Sequence, residues 1–373
     1  MNAPLRVLIV DDSALYRQAI GAAFAQIEGV EVVGTAENGE DAIAKVIKLA
    51  PDLLTLDVEM PVMNGIETLR QMNQLRLGAR AIMVSSLTEA GARVTLDALF
   101  EGAFDFITKP AGGLHTSREK LRAALAEKIL AYRLHQQDPS RSKAALVPSL
   151  PMPTVPRLID RPAGVELKQL SASQASGCRL TLIGLSTGGP QALRHVLPRL
   201  DSDFPCPVIV VQHMPPDYTN MMARRMNEEC AMRVSEVADG ETILPGHIYI
   251  APGGCHLDLQ RVGENVVAKL NSDPPVNSCR PSVDYTLNRA VDIYGNQMLA
   301  VIMTGMGKDG LAGCEKAKSR GATVYAQDAE TSAVYGMPRA VTDAGLADRV
   351  LPLAKIAPAI TRHVHRVRTG AMP

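Results

Sequence analysis

Short apolar runs alternate with longer amphipathic stretches along most of the chain. In the first part the runs are Leu5–Val10, Val30–Gly34, Leu53–Leu56, Ala81–Val84 and Phe104–Ile107. Periodic segments such as Ser13–Gln26 and Gly39–Leu49 lie between them. Nearly continuous apolar runs predict strands buried on both faces, and the periodic segments predict crossover helices. The second part repeats the pattern, with strands expected at Leu180–Leu185, Val208–Gln212, His247–Ala251, Met298–Met303 and Thr323–Ala326. The fold class is therefore α/β, with two doubly wound parallel-sheet domains, the second larger than the first.

Between the two parts the pattern breaks. From Asp138 to about Gly177, Pro139, Pro148, Pro151, Pro153, Pro156 and Pro162 interrupt a stretch filled with serine and alanine. Proline at this density removes backbone donors and favours an extended linker. Just before it, Thr116 to about His135 predicts a helix. Thr116 and Glu119 have capping-box spacing, and Leu121, Leu125 and Ile129 repeat every four residues. The expected division is 1–125 for the first domain, 126–176 for the helix extension and linker, and 177–365 for the second domain.

Bulk composition removes several classes. The 373 residues suit about two domains. Lys plus Arg and Asp plus Glu both number 39, so no basic surplus marks a nucleic-acid binder. The basic segment Arg362–Arg368 reads as a solvated tail. Cys178, Cys206, Cys230, Cys255, Cys279 and Cys314 form no C-x-x-C pair, which argues against a zinc knuckle and suits a reducing cytosol. No apolar stretch reaches the roughly 18 residues that cross a membrane, and Leu5–Val10 is too short for a signal peptide.

Polar chemistry collects where the strands end, the usual place in open α/β sheets. In the first domain Asp11 and Asp12 follow the first strand, Asp57 the third, Ser85 and Ser86 the fourth, and Lys109-Pro110 the fifth. Acids after strands also cap helices, which explains Asp12 or Ser13 taken alone. Three converging carboxylates, however, repel one another unless a hard cation such as Mg²⁺ sits among them. A lysine beside them suits a bound phosphoryl group. This pattern, spelled Val10-Asp11-Asp12-Ser13, Leu56-Asp57-Val58-Glu59-Met60-Pro61 with Asn64-Gly65, Val84-Ser85-Ser86 and Phe106-Ile107-Thr108-Lys109-Pro110, resembles the receiver domains of two-component signalling. The resemblance implies a flavodoxin-like fold, Asp57 as phosphoacceptor, and Mg²⁺ held by Asp11, Asp12, Asp57 and the backbone of Glu59. It further implies Ser85 as the switch hydroxyl and Lys109 as the phosphate partner. Phe106 stands where many receivers carry tyrosine, so a rotamer switch there must work by packing.

In the second domain Leu180–Leu185 runs into Ser186-Thr187-Gly188-Gly189-Pro190. Glycines around a serine between strand and helix allow a sharp turn and leave backbone N–H groups for an oxyanion. The same loop serves a bound phosphate equally well. A serine nucleophile needs a base and an orienting acid. His213 directly follows Val208–Gln212 and shares the strand-end edge with Ser186; His256 is the runner-up. His195 is expected to face solvent, and His247 begins a strand at the wrong end. Asp309 follows Met298–Met303, with Asp284 as its rival; helix capping explains Asp284 as well and is the alternative reading of Asp309.

The segments Ile183–Pro190, Val211-Gln212-His213-Met214-Pro215, Ile250-Ala251-Pro252-Gly253, Arg280-Pro281-Ser282-Val283-Asp284 and Met303–Gly310 resemble the catalytic domain of chemotaxis protein-glutamate methylesterases, the CheB family. Leu185 and Cys279 depart from the family's usual alanine and histidine. The resemblance implies a Ser186–His213–Asp309 triad and no cofactor at the hydrolytic site. Backbone N–H groups near Thr187 and Met306 are the expected oxyanion donors. It implies hydrolysis of glutamate methyl esters and deamidation of glutamines on chemoreceptors. The implied phosphodonor is a chemotaxis-type histidine kinase, the setting is the cytoplasm, and neither nucleic acid nor membrane insertion is involved. A non-catalytic module binding a nucleotide or partner through the glycine-rich loops is the rival class.

Overall fold

The computed structural model describes residues 3–86, 88–109, 114–136 and 177–368. The expected linker therefore lies outside the described residues, as do Pro110 and the side chain of Thr116. The first domain comprises β1 (Leu5–Val10), α1 (Ala14–Phe24), β2 (Val30–Ala36), α2 (Gly39–Leu49), β3 (Leu53–Asp57), α3 (Gly65–Gln74), β4 (Arg80–Ser85), α4 (Glu89–Phe100), β5 (Asp105–Thr108) and α5 (Leu114–Gln136). Its sheet is ordered β2-β1-β3-β4-β5, and every pairing is parallel. The strand order reverses between β1 and β3, which places the Asp11-Asp12 and Asp57 ends side by side.

The second domain comprises β6 (Leu180–Leu185), α6 (Gly189–Val196), β7 (Val208–Gln212), α7 (Tyr218–Glu229), β8 (Arg233–Glu236), β9 (His247–Ile250), β10 (His256–Val262), β11 (Asn265–Asn271), α8 (Val283–Tyr294), β12 (Met298–Ile302), α9 (Leu311–Ser319), β13 (Thr323–Gln327), α10 (Met337–Asp343), β14 (Arg349–Leu351) and α11 (Leu353–Arg368). The main sheet runs β14-β13-β12-β6-β7-β9-β8, again parallel throughout. β10 and β11 form a separate antiparallel hairpin. The five expected strands are present. The two sheet edges, β8 and β14, are additions, because each is short and half polar and carries no buried run.

Burial explains the strands. Leu180, Leu182, Ile183 and Leu185 are all fully buried, as are Val208 to Val211. β6 sits centrally, with β7 on one side and β12 on the other. The residues that follow these three strands therefore emerge at one edge. One apolar cluster runs through both domains, joining Leu96, Leu99 and Phe106 to Leu193, Val196 and Tyr218.

Candidate active site and phosphoacceptor pocket

In the first domain Asp57 Oδ2 accepts from Lys109 Nζ at 2.7 Å, and Asp11 Oδ2 lies 3.1 Å from the same ammonium. Asp11, Asp12 and Asp57 offer carboxylate oxygens within 4.8 Å of one another. Burial raises the Asp57 carboxyl to about 6, against the Lys109 hydrogen bond, and Asp11 pushes it further up. Among the described residues Asp11 Oδ2 has no hydrogen bond of proper geometry. An under-served oxygen in a crowd of carboxylates fits a hard divalent cation. Asp12, Asp57, Glu59, Ser86 and Lys109 line the pocket. Ser85 is buried, and its hydroxyl lies 3.2 Å from Gly91 O in α4. Its carbonyl accepts from Lys109 N–H.

In the second domain a tight turn separates β6 from α6. Gly188 takes φ 78, a conformation that strains any L-residue with a Cβ. Ser186 N–H donates to Thr304 O and Gly189 N–H to Ser186 O. A Cβ on Gly305 would stand 2.8 Å from Ser186 Cβ, so only glycine lets this loop approach the serine. Gln212, buried at the end of β7, donates from Nε2 to Ser186 O at 2.9 Å. The sequence signalled it only as a polar residue closing an apolar strand.

His213 and Asp309 meet. His213 Nε2 lies 2.7 Å from Asp309 Oδ2. Asp309 also accepts from Asn277 Nδ2, Ser282 Oγ, Val283 N–H and Asp284 N–H. It thus caps the N-terminus of α8 and orients the imidazole at the same time. Five hydrogen bonds fill its lone pairs, so the grouping of His213, Cys279 and Asp309 reads as an oriented base rather than a metal centre. Burial works to raise the Asp309 carboxyl, but His213 and the donors around it bring it down to about 2. Burial works to lower His213, but Asp309 and Cys279 outweigh it and raise the imidazole to about 9.

The alternatives sit elsewhere. Asp284 accepts from Gly313 N–H and Asn277, not from a histidine. His256 is buried, stacks on Tyr285 and faces Pro274 O. His247 pairs with Ser235. His195, expected in solvent, is half-buried, with Nε2 enclosed and without a partner among the described residues, because α6 also packs on α11.

Ser186 and His213 line one pocket, but among the described residues no hydrogen bond joins Ser186 Oγ to the ring. The N–H groups of Thr187 and Met306 likewise have no partner among the hydrogen bonds of the described residues. The first domain supplies the opposite wall, with Leu99, Asp105, Phe106, Ala124 and Lys128. Thr187 Oγ1 donates to Asp105 Oδ2 at 2.6 Å, and Lys128 Nζ lies 3.1 Å from the same carboxylate. Phe106 stacks on Tyr218 with centroids 4.6 Å apart. Gln191 donates to Leu99 O, and His135 lies 2.6 Å from Ala333 O. Sequence patterns give no signal for these contacts, since each joins surfaces far apart in the chain.

Two α/β sheets that each gather polar chemistry at their strand ends, the first laid over the pocket of the second, define a receiver joined to an effector. The chain belongs to the CheB methylesterase family. The model of the CheB methylesterase domain matches residues 181–360, and that of the response regulator receiver domain matches residues 7–125. A Desulfotalea psychrophila protein named protein-glutamate methylesterase/protein-glutamine glutaminase is 43% identical over 370 residues, which cover 98% of this chain and 99% of that one. A Thermotoga maritima protein of the same name is 43% identical over 94% of this chain and 96% of its own. The crystal structure of the Thermotoga maritima CheB methylesterase catalytic domain matches at 45% identity and a TM-score of 0.49, covering 49% of this chain and 97% of that one. Among the described residues no helix is long and apolar enough to cross a membrane.

Proposed function

We propose that this chain hydrolyses glutamate methyl esters on chemoreceptors, releasing methanol, and deamidates receptor glutamines, under the control of phosphorylation at Asp57. The observation that carries the hydrolytic reading is the 2.7 Å His213–Asp309 pair opening onto the pocket that Ser186 lines. Asp309 holds the proton on Nε2, so Nδ1, which faces Cys279 Sγ at 3.4 Å, is the nitrogen that accepts a proton. His213 takes the Ser186 proton as Oγ attacks the ester carbonyl. The N–H groups of Thr187 and Met306 receive the oxyanion, and the imidazolium then protonates the departing methanol. Water, activated by the same imidazole, resolves the acyl-enzyme. Resting structures often leave nucleophile and base apart, and the hydrogen bond tightens with substrate.

Asp11, Asp12, Asp57 and the Glu59 backbone would hold Mg²⁺, which offsets the carboxylates and the incoming phosphoryl charge. Lys109 pairs with the phosphoryl oxygens, and Ser85 turns from Gly91 towards them. A histidine kinase is the phosphodonor and the cytoplasm the setting. The contacts of Asp105, Phe106 and Leu99 with Thr187, Tyr218 and Gln191 support a receiver that keeps substrate from Ser186 until Asp57 is phosphorylated. A fluorophosphonate probe tests the nucleophile. Labelling is expected at Ser186, faster with a small-molecule phosphodonor, and absent in Ser186→Ala. Undiminished labelling of Ser186→Ala would remove the serine from the mechanism.

A further inference from the structure

Between β11 and α8 the chain makes a tight turn at Val276–Cys279. Val276 N–H donates to Cys279 O and Cys279 N–H to Val276 O. The two residues inside, Asn277 and Ser278, take φ 52 and 62. Paired positive φ values are those of a type I′ turn, which serine tolerates poorly. Such a turn stores strain and persists only where its surroundings hold it.

The side chains of Asn277 and Cys279 reach the two members of the base pair. Asn277 Nδ2 lies 2.8 Å from Asp309 Oδ1 and 2.8 Å from Asp284 Oδ2, so one amide spans both acids. Cys279 Sγ lies 3.4 Å from His213 Nδ1. Nε2 is committed to Asp309, which leaves Nδ1 as the nitrogen able to accept a proton. The atom seated on that nitrogen is the Cys279 sulfur, while Ser186 Oγ makes no bond to the ring. We propose that the Val276–Cys279 turn is a positioning clamp for the base. In it, Asn277 fixes Asp309 so that Oδ2 faces the imidazole, and Cys279 holds Nδ1 and sets how readily it accepts the Ser186 proton.

This inference rests on the serine-hydrolase reading above. The charged and titratable groups around His213 are Asp309 from the loop after β12, Cys279 from the turn, and Asp105 and Lys128 from the receiver across the pocket. Asp284 acts indirectly through Asn277. Asp309 and Cys279 both raise the imidazole, so loss of the sulfur should lower it.

The test uses the full chain with a phosphodonor, reading methanol release from methylated receptor membranes as a function of pH. Cys279→Ala should move the acidic limb of kcat/KM from about 9 towards the ordinary imidazole range, and Cys279→Ser should return it part of the way. Asn277→Gly keeps the positive φ and removes only the amide. It should lower kcat about 10- to 100-fold with KM unchanged, the size expected for one lost hydrogen bond to a charged group. Melting curves identify any variant that has unfolded, and Cys279→Ser and Asn277→Gly are chosen to avoid this. Wild-type pH profiles and kcat in folded variants would overturn the clamp and leave the triad standing. Wild-type release by Ser186→Ala and Asp309→Ala would instead remove the triad, and the clamp with it.

Discussion

His213 stands between two partners, and its chemistry follows from both. A base works only when neutral, and this imidazole is held protonated up to about 9 by Asp309 and Cys279. The rate of ester hydrolysis should therefore rise with pH through the neutral range and level off only near 9, which a kcat/KM profile of the phosphorylated chain would show. A plateau already reached at neutral pH would contradict the assignment of His213. Asp309→Asn should cost on the order of 10⁴-fold in kcat, because it no longer imposes the tautomer in which Nδ1 accepts the proton. The strand-end positions of Asp57, Lys109, Ser186, His213 and Asp309 were legible in the sequence because each follows an apolar run, and strand ends of a parallel sheet share one edge. Asn277 was not legible. It lies on an irregular turn, and its bond to Asp309 spans 32 residues that no periodicity links.

At the level of elements, the buried strands could be read because both faces of a parallel sheet are covered. β8 and β14 escaped because edge strands need be apolar on only part of their length. The contact of β5 and α4 with α6 and α7 was equally hidden, since the exposed faces of two amphipathic helices carry no label for one another. Phe106 illustrates this. In the sequence it is a receiver aromatic without a hydroxyl, and in the fold it stacks on a fully enclosed Tyr218. An aromatic pair of this kind adds about 0.5–1.5 kcal/mol beyond its buried area. Phe106→Ala should therefore weaken the interface and raise the unphosphorylated rate of methanol release several-fold, with a smaller further gain from the phosphodonor. An unchanged basal rate in a folded variant would mean that this stack does not hold the receiver in place.

The whole molecule is a tethered pair whose first member covers the pocket of the second. Joining the two in one chain keeps the receiver at high effective concentration over the pocket, so modest contacts suffice to close it. Asp57→Asn should keep the low basal rate and lose all response to the phosphodonor. Deleting residues 1–140 should give the fast rate without a phosphodonor, and a deletion as slow as the unphosphorylated full chain would show that the receiver is not the brake.

The most direct measurement of the central claim is methanol release from methylated receptor membranes by the wild-type chain and by Ser186→Ala, each with and without a small-molecule phosphodonor. Wild type should release methanol, faster with the phosphodonor, and Ser186→Ala should release none above background in either condition. Release by Ser186→Ala at the wild-type rate would contradict it.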